Sequence, residues 1–433
     1  MKKLIVEGKS KLTGEIHISG AKNAALPILV SSLLVDGELK LSNIPNVTDI
    51  CSMSNLLLYL DVKMTLDANL SNEDNNGKVV TYSAKGLKKF TAPYEIVKKM
   101  RASFIVMGPL LARLGKVKVS LPGGCAIGAR PVDIHLKAFE QMGATIKIEK
   151  GYIHADAEGG KLKGADIAFR FPSVGATQNV MMAATLAKGT TILRNVAKEP
   201  EIVDLAKCLN AMGAKVSGAG TNIITIEGVE KLHSATHRIM GDRIECATYM
   251  IGVAITDGDL IIDGLNVFET LGAVIEKLEE IGVKIEKLED NKIRVRRGEE
   301  KLKPAHITTQ VFPGFPTDIQ AQIMTLLATI DGKSSIDETI FENRFMHVPE
   351  LNRMGADIYI EGNKATIKGK SGCFTSAEVM ATDLRASVSL VLAGMCAEGT
   401  TTIDRIYHLE RGYEFLADKF NKCGADLTVI NQI

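Results

Sequence analysis

The residues with the clearest chemical potential are a cysteine and an arginine in a glycine-rich loop. Residues 121–131 read Leu-Pro-Gly-Gly-Cys-Ala-Ile-Gly-Ala-Arg-Pro, so Cys125 lies five residues before Arg130. Glycines leave a thiol with little side-chain cover, and a nearby guanidinium favours the thiolate, which lowers a pKa that starts near about 8.5. We therefore predict that Cys125 is a reactive cysteine. The alternative is a buried cysteine beside a tight turn, since free cysteines are among the most buried residues.

The other six cysteines have surroundings that indicate packing rather than chemistry, and Cys373 has no flanking cation. Five follow apolar patterns and are predicted to lie in the core: Cys51, Cys208, Cys246, Cys396 and Cys423. The total of seven is odd, and the sequence has neither a Cys-x-x-Cys pair nor a His/Cys cluster with ligand spacing, which argues against a disulfide framework or a zinc site. A chain without disulfides is typical of a reducing compartment, which we expect here, and we expect no metal. We also expect no redox cofactor, because the glycine fingerprint of a dinucleotide-binding site is missing.

Length and charge narrow the class of protein. A chain of 433 residues with 45% hydrophobic and 24% charged residues is typical of a globular protein with two or more domains. Its 52 basic and 51 acidic residues leave a formal net charge of +1, which argues against a nucleic-acid or anionic-membrane partner. Charge interrupts the start before a signal-peptide core forms, and no apolar run reaches the roughly 18 residues of a spanning helix, so we expect a cytoplasmic protein.

The elements that must position these residues are indicated by an internal repeat. One set of glycines ends helical apolar patterns just before alternating strands, which predicts helix caps at Gly143, Gly213, Gly282, Gly355 and Gly424, with a degenerate sixth copy at Leu60–Lys63. A second set closes longer apolar helices and opens another strand: Gly37, Gly115, Gly189, Gly258, Gly332 and Gly399. The spacing of about 70 residues predicts six copies, which divide most naturally into two α/β domains of three.

Unusual polar residues recur at two places in these copies. One place is the loop after the first strand, which holds Cys125 with Arg130 and, in other copies, Arg344 and Arg411. The other is the start of the long helix: Lys22 and Asn23; Arg101; Ser173, Val174 and Gly175; Asp242 and Arg243; Asp318; Asp383 and Arg385. Helix N-termini together with Lys22, Arg101, Arg130 and Arg411 predict an anionic substrate that carries phosphate or carboxylate groups. The alternative is that these charges are helix caps and surface ion pairs.

Seven segments carry a resemblance to a known family: AKNAALP (21–27), PGGC (122–125), GARPVD (128–133), PSVGAT (172–177), FPTD (315–318), ENRF (342–345) and DLRAS (383–387). Through them the chain resembles, over nearly its whole length, the UDP-N-acetylglucosamine 1-carboxyvinyltransferase family of enolpyruvyl transferases. The resemblance implies two inside-out α/β barrels, each of three repeats with helices inside and sheets outside. One domain would span residues 21–240 with a mobile Cys125 loop, residues 1–20 and 241–433 would form the other, and the active site would lie in the interdomain cleft.

The implied reaction transfers an enolpyruvyl group from phosphoenolpyruvate to the 3-hydroxyl of UDP-N-acetylglucosamine and releases phosphate, the committed step of peptidoglycan synthesis. By resemblance Cys125 is the acid and the target of the epoxide fosfomycin, Asp318 is the base, and Lys22, Arg130 and Arg411 grip phosphoenolpyruvate with help from Arg101. The remaining substrate contacts implied by the resemblance are Asn23, Pro131, Ser173, Val174, Gly175, Ile340, Asp383 and Arg385. We expect a monomer that has these two small molecules as its partners and needs no cofactor.

The chain differs from the family pattern at one position, and three alternative functions remain to be compared with the implied one. Some family members have a lysine where this chain has Phe171, so one nucleotide contact is absent or replaced. The nearest rival is an enolpyruvylshikimate-phosphate synthase, which shares the donor and has a different acceptor; the Gly-Gly-Cys loop argues against it. A non-catalytic binding paralogue should lack Cys125, Asp318 or Arg411, and all three are present. A repeat scaffold should show apolar surface patches rather than converging cations.

Overall fold

The computed structural model describes residues 2–67, 78–122, 132–289 and 291–431. Contacts between Cα atoms divide them into two compact units. Residues 20–67, 78–122 and 132–240 form the unit that we call continuous, whereas residues 2–19, 241–289 and 291–431 form the discontinuous unit. No helix in these ranges has the length and apolar character needed to cross a bilayer.

The chain begins with two strands of the discontinuous unit, β1 (Lys2–Glu7) and β2 (Thr13–His17). The continuous unit follows: α1 (Lys22–Ser31), β3 (Glu38–Ile44), α2 (Thr48–Tyr59), β4 (Lys63–Leu66), β5 (Lys78–Ser83), β6 (Thr91–Ala92), α3 (Tyr94–Val97), α4 (Met107–Leu114), β7 (Lys116–Ser120), α5 (Asp133–Gln141), β8 (Ala144–Glu149), β9 (Tyr152–Ala157), β10 (Asp166–Ala168), α6 (Val174–Ala184), β11 (Thr190–Arg194), α7 (Pro200–Ala211), β12 (Lys215–Ser217), β13 (Ile223–Glu227) and β14 (Ala235–Arg238).

The rest of the discontinuous unit completes the chain: α8 (Arg243–Ile255), β15 (Asp259–Asp263), α9 (Val267–Thr270), α10 (Gly272–Ile281), β16 (Val283–Glu289), β17 (Lys292–Arg297), β18 (His306–Thr308), α11 (Gln320–Ala328), β19 (Gly332–Asp337), α12 (Val348–Arg353), β20 (Ile358–Glu361), β21 (Lys364–Gly369), β22 (Glu378–Met380), α13 (Leu384–Cys396), β23 (Thr400–Asp404), α14 (Leu416–Lys422) and β24 (Asp426–Asn431). Short 3₁₀ helices precede α4 and α11, at Arg101–Val106 and Thr317–Ile319, and another covers Ile406–Arg411.

The described strands form six four-stranded sheets, three in each unit. In every sheet an edge strand runs parallel to its neighbour and the other two pairings are antiparallel. The orders are β14-β3-β5-β4, β6-β7-β9-β8 and β10-β11-β13-β12 in the continuous unit, and β2-β15-β17-β16, β18-β19-β21-β20 and β22-β23-β1-β24 in the discontinuous unit. The chain therefore repeats one α/β motif six times, as the glycine spacing predicts.

The glycines lie where this repeat needs them. Gly37, Gly115, Gly189, Gly258 and Gly399 each directly precede the second strand of a sheet in the orders above, and Gly332 begins one. The predicted helix-ending glycines have φ between 86° at Gly143 and 113° at Gly282, a left-handed conformation in which a Cβ is strained. Asp61 takes the same conformation, with φ of 65°, in the degenerate sixth copy. The predicted helix ends are confirmed.

Long helices pack against one another in the core of each unit. In the discontinuous unit α8 and α11 are buried along their whole length and pack against each other and against α13. In the continuous unit α4 packs against α6, and α1 packs against α6 and α7. α8 and α11 therefore have no solvent-facing side, as is typical of helices in the middle of a core.

One sequence prediction is wrong: Cys51 is exposed, on α2. Its neighbour Ile50 is buried as expected. An α-helix turns by about 100° per residue, so the residue that follows a core position points away from the core. Cys208, Cys246 and Cys423 are buried and Cys396 is partly buried.

Candidate active site

The polar residues that recur in the sequence lie at the starts of the six long helices. In the continuous unit, Lys22 is the first residue of α1, Arg101 opens the 3₁₀ helix before α4, and Ser173 is the N-cap of α6. In the discontinuous unit, Asp242 and Asp383 are the N-caps of α8 and α13, and Asp318 lies in the 3₁₀ helix before α11. Equivalent copies therefore present their polar residues at equivalent ends of the helices.

Lys22 is held by a buried carboxylate in the continuous unit. Its Nζ lies 3.3 Å from Oδ2 of Asp49, and the side chains are only 12% and 6% exposed. Asn23 follows on the same helix and is partly exposed. An ammonium group near the surface, with its position fixed by a carboxylate, can bind a phosphate or carboxylate group of a substrate.

Arg101 belongs to a cluster with His135 and the first turn of α6. Burial, together with the charge of Arg101, lowers the pKa of His135 to about 3, so this imidazole is neutral at pH 7. Asn179 donates from Nδ2 toward Nδ1 of the imidazole over 3.1 Å. A Cβ added to Gly175 would lie 3.6 Å from Cε1 of His135. Arg101 and the α6 N-terminus thus face a common neutral ring.

The α6 N-terminus combines a helix cap with exposed apolar side chains. Oγ of Ser173 accepts a hydrogen bond from the Ala176 amide over 3.3 Å, and Val174 is exposed. Phe171 is also exposed, and the guanidinium of Arg170 lies 5.2 Å from its ring centre. The position where some family members have a lysine therefore presents an aromatic face in this protein.

Asp318 is paired with two arginines of the discontinuous unit. Its Oδ1 accepts from Nη2 of Arg344 over 2.7 Å, and its Oδ2 accepts from Nη2 of Arg385 over 3.1 Å. Both guanidiniums are buried, while the Asp318 side chain remains 28% exposed. Burial alone would raise the pKa of Asp318, but Arg385 and Arg344 outweigh it and hold that pKa well below its ordinary value. We call Asp318, Arg344 and Arg385 the carboxylate clamp.

A buried hydroxyl network supports Arg385 from behind. Nη1 of Arg385 donates to the Tyr413 hydroxyl over 3.3 Å, and that hydroxyl lies 2.9 Å from Oγ1 of Thr248. Nε2 of Gln322 lies within hydrogen-bonding distance of both hydroxyls and donates to the Asp318 carbonyl over 3.0 Å. Burial raises the pKa of Tyr413, so its hydroxyl stays protonated. Arg385 is therefore held at its guanidinium by Asp318 and Tyr413, and at its backbone by its place in the first turn of α13.

The other two aspartates at the starts of long helices in this unit, Asp242 and Asp383, are helix caps. Oδ1 of Asp242 accepts from the amides of Ile244 and Glu245 over 2.8 and 3.1 Å. Oδ1 of Asp383 accepts from the Arg385 and Ala386 amides over 2.7 and 3.1 Å. The helix-cap interpretation therefore holds for these two residues, whereas neither oxygen of Asp318 caps its helix.

Arg411 ends the 3₁₀ helix Ile406–Arg411. Burial lowers the pKa of His408, the charge of Arg411 also lowers it, and the charge of Asp383 raises it. Two candidate substrate contacts, Asp383 and Arg411, therefore both act on His408. The backbone amide of a third candidate, Ile340, donates to Oε1 of Glu338 over 2.9 Å.

Cys125, Arg130 and Pro131 lie outside the described residues. Among the cysteines that are described, burial raises the pKa of Cys373 to about 11 and that of Cys208 and Cys396 to about 12. Thiols with such values contain almost no thiolate at pH 7 and are poor nucleophiles. In the described ranges, no group of three His, Cys, Asp or Glu side chains is placed to hold a metal ion.

The sequence gives no role to three residues around this site: Arg344, Tyr413 and Glu338. Arg344 stands out in the sequence as a recurrent polar residue after a first strand, but its pairing with Asp318 spans 26 residues and follows no local period. Tyr413 and Glu338 gave no separate signal, because an isolated tyrosine or glutamate is most often a surface residue.

Comparison with known proteins gives a consistent set of relatives. The model of the family "EPSP synthase (3-phosphoshikimate 1-carboxyvinyltransferase)" matches residues 6–420. A protein named UDP-N-acetylglucosamine 1-carboxyvinyltransferase 2, from Carboxydothermus hydrogenoformans, is 51% identical over 99% of each chain. UDP-N-acetylglucosamine 1-carboxyvinyltransferase from Desulforapulum autotrophicum is 52% identical over 99% of each chain.

Solved structures with little sequence identity show the same fold. The enolpyruvyl transferase NikO from Streptomyces tendae superposes with a TM-score of 0.88 at 22% identity, over 100% of this chain and 99% of its own. EPSP synthase from Acinetobacter baumannii superposes with a TM-score of 0.76 at 19% identity, over the full length of both chains. The architecture of this chain is therefore that of the enolpyruvyl transferases.

Proposed function

This chain belongs to the EPSP synthase family of 1-carboxyvinyltransferases, and we propose that it transfers the enolpyruvyl group of phosphoenolpyruvate to the 3-hydroxyl of UDP-N-acetylglucosamine. The observation that carries the choice of acceptor is the identity of about half of all residues, over 99% of the chain, with relatives that bear the corresponding name. Phosphate is the second product. The reaction is the committed step of peptidoglycan synthesis.

The reaction needs a group that donates a proton to phosphoenolpyruvate and a group that accepts a proton from the sugar hydroxyl. In the addition step, the Cys125 thiol gives its proton to the methylene carbon of phosphoenolpyruvate, and the sugar oxygen bonds to the adjacent carbon while its hydroxyl proton passes to Asp318. In the elimination step, the Cys125 thiolate takes a proton from the new methyl group, the bond between the neighbouring carbon and the phosphate oxygen breaks, and the double bond re-forms. The departing phosphate takes the proton held by Asp318, so the thiol and the carboxylate are both restored.

The contacts in the carboxylate clamp support a role for Asp318 as a base that becomes stronger when substrate binds. A carboxylate with a guanidinium on each oxygen attracts protons weakly, since both charges stabilise the ionised form. An incoming substrate anion competes with Asp318 for these guanidiniums, and each guanidinium it takes makes Asp318 more basic. The base is thus strengthened only when the anionic substrate is in place.

Cations and helix starts account for the rest of substrate binding. Lys22, Arg130 and Arg411 bind phosphoenolpyruvate with Arg101 and stabilise the charge of the leaving phosphate. Ser173, Val174 and Gly175 bind the nucleotide end, with Asn23, Pro131 and Ile340 as further contacts, and Asp383 with Arg385 orient the charges around the reacting groups. The assignments draw on both units, so neither unit is expected to be active alone.

Several finer features complete the proposal. Each unit forms an inside-out barrel of three repeats, an arrangement supported by the fully buried helices α8 and α11 and by three four-stranded sheets per unit. The protein works as a cytoplasmic monomer without a metal or cofactor. Cys125 is the residue that fosfomycin alkylates.

The test is phosphate release from phosphoenolpyruvate with UDP-N-acetylglucosamine, compared with shikimate 3-phosphate as the acceptor. We expect turnover with the sugar nucleotide alone, loss of at least about a hundredfold in kcat for Asp318→Asn, and little change for Asp357→Asn. Asp357 is a matched control because it forms an exposed ion pair with Lys368 in the same unit. Turnover with shikimate 3-phosphate alone, or an unaffected Asp318→Asn variant, would contradict the proposal.

A further inference from the structure

Glu338 is a buried carboxylate that sits between two candidate substrate-binding turns. It follows strand β19 and is only 2% exposed. Its oxygens accept four hydrogen bonds: from the hydroxyls of Thr309 and Thr317 and from the amides of Ile340 and Phe341. All four donors are uncharged, so hydrogen bonds replace the water that this ion gives up on burial.

Each oxygen of Glu338 contacts a different segment. Oε1 accepts from Thr309 over 2.9 Å and from the Ile340 and Phe341 amides over 2.9 and 3.2 Å. Oε2 accepts from Thr317 over 2.9 Å. Thr317 is the residue before Asp318, and both lie in the same 3₁₀ helix. Glu338 therefore joins the turn that carries the proposed base to the turn that carries Ile340.

The chemical identity of the side chain matters for this junction. Every contact of Glu338 is with a donor, and an ionised carboxylate is the side chain that accepts on both atoms. The backbone amides of Ile340 and Phe341 cannot reverse their role, whereas the Thr317 hydroxyl can rotate and accept instead. A glutamine that keeps its oxygen toward the two amides is therefore expected to preserve the junction.

We propose that Glu338 is a positioning residue of the transfer reaction, which sets Asp318 at the acceptor hydroxyl by tying the Thr317–Asp318 turn to the Ile340 turn. This inference rests on the proposed function, because it concerns the orientation of the proposed base. Glu338 itself touches no substrate in this role. Displacement of a catalytic group by a fraction of an ångström lowers turnover without preventing the binding of a distant substrate group.

The experiment compares two isosteric variants that each remove one hydroxyl donor from the same carboxylate. Thr317→Val breaks the tie to the Asp318 turn. Thr309→Val removes a donor on the other oxygen and also the acceptor of the Thr339 amide, which lies 2.9 Å from the Thr309 hydroxyl, so its melting temperature should fall at least as far. We expect Thr317→Val to lower kcat about tenfold with KM for phosphoenolpyruvate within about twofold, and Thr309→Val to keep kcat within about threefold.

A second pair of variants tests the hydrogen-bond argument itself. Glu338→Gln should retain kcat within about threefold, while Glu338→Leu, which removes all four acceptor contacts, should lose at least as much as Thr317→Val. Equal losses for Thr317→Val and Thr309→Val, in step with their melting temperatures, would overturn the inference and leave the proposed function standing. A Glu338→Gln variant as impaired as Glu338→Leu would overturn it as well. Wild-type protein without turnover would overturn the proposed function and this inference together.

Discussion

The carboxylate clamp makes a quantitative prediction about stability through the substitution Arg344→Met. Methionine fills much of the same volume without a charge, so the change removes the contact of 2.7 Å between Arg344 and Asp318 together with the weaker contact of the guanidinium with the Phe341 ring, 5.3 Å from its centre. The Arg385 contact remains, and Asp318 is not left as a buried charge without a partner. The loss should therefore resemble that of a charged hydrogen bond rather than that of a broken buried ion pair.

The size of the effect follows from these contacts. A hydrogen bond between charged groups contributes about 1.5–3 kcal/mol, and breaking a buried pair costs about 3–5 kcal/mol when it leaves an unpaired charge. Because Asp318 is 28% exposed and keeps Arg385, we expect about 2 kcal/mol at pH 7. For a unit of roughly 200 residues this corresponds to a fall of about 4–8 °C in melting temperature, measured by calorimetry.

The pH dependence has a definite sign. The folded pKa of Asp318 lies well below its ordinary value, so its contribution to stability is complete above the unfolded pKa, about 3.9, and is lost as pH falls through the folded pKa. Arg344→Met removes part of this contribution and raises the folded pKa. The unfolded pKa is common to both proteins, so the difference in stability between wild type and variant should shrink only as pH falls through the folded pKa of the variant and then through that of wild type.

Arg353→Met is the matched control, because the Arg353 side chain is 61% exposed and Nε lies 3.6 Å from a carboxylate oxygen of Glu350 in the same unit. Its cost should stay within about 0.5 kcal/mol. The reasoning is refuted if Arg344→Met costs no more than this control at pH 7. It is also refuted if the cost of Arg344→Met grows as pH falls below about 4, since protonation of Asp318 can only reduce a cost that comes from its charge.

Three further predictions concern single residues. Fosfomycin at pH 7 should give one adduct, at Cys125, with parallel loss of turnover, because burial suppresses the thiolate of most other cysteines; Cys51→Ser should leave this unchanged, and mass spectrometry of peptides decides. Tyr413→Phe removes a hydroxyl beneath the carboxylate clamp and should cost about 1 kcal/mol and lower kcat several-fold, while the exposed Tyr407→Phe should do neither, by calorimetry and phosphate release. Gly175→Ala should fold with an unchanged melting temperature, since its Cβ meets only contacts of 3.6 Å or more, yet should raise KM for UDP-N-acetylglucosamine; an unchanged KM would remove Gly175 from the nucleotide site.

The repeat architecture could be predicted from local signals. Gly143, Gly213 and Gly282 indicate positions of positive φ, and the spacing of such glycines predicts the number of copies without knowledge of any contact. The helix starts that hold Lys22 and Ser173 are likewise local, since a helix must begin where its apolar pattern begins. Such features are encoded within a few residues of sequence.

The pairings of the site could not be predicted in this way. Arg385 and Asp318 are 67 residues apart, and Thr317 and Glu338 are 21 apart, so no helical or strand period relates them. Cys51 shows a different failure, because burial was predicted from its apolar neighbour Ile50, and the two adjacent residues lie on different sides of α2. Periodicity predicts which side of an element is apolar, whereas polar contacts between elements depend on how the elements pack.

The three aspartates at the starts of the long helices in the discontinuous unit show how one repeated backbone acquires different chemistry. Asp242 and Asp383 use a carboxylate oxygen to cap their own helices, which satisfies amides that would otherwise lack acceptors. Asp318 enters its helix through a tight 3₁₀ turn after Pro316, makes no such cap, and keeps both oxygens for the guanidiniums of Arg344 and Arg385. A capping residue that does not cap its own helix has its charge available for other groups. The departure of Asp318 from the local rule is therefore stronger evidence of a functional role than its equivalent position in the repeat.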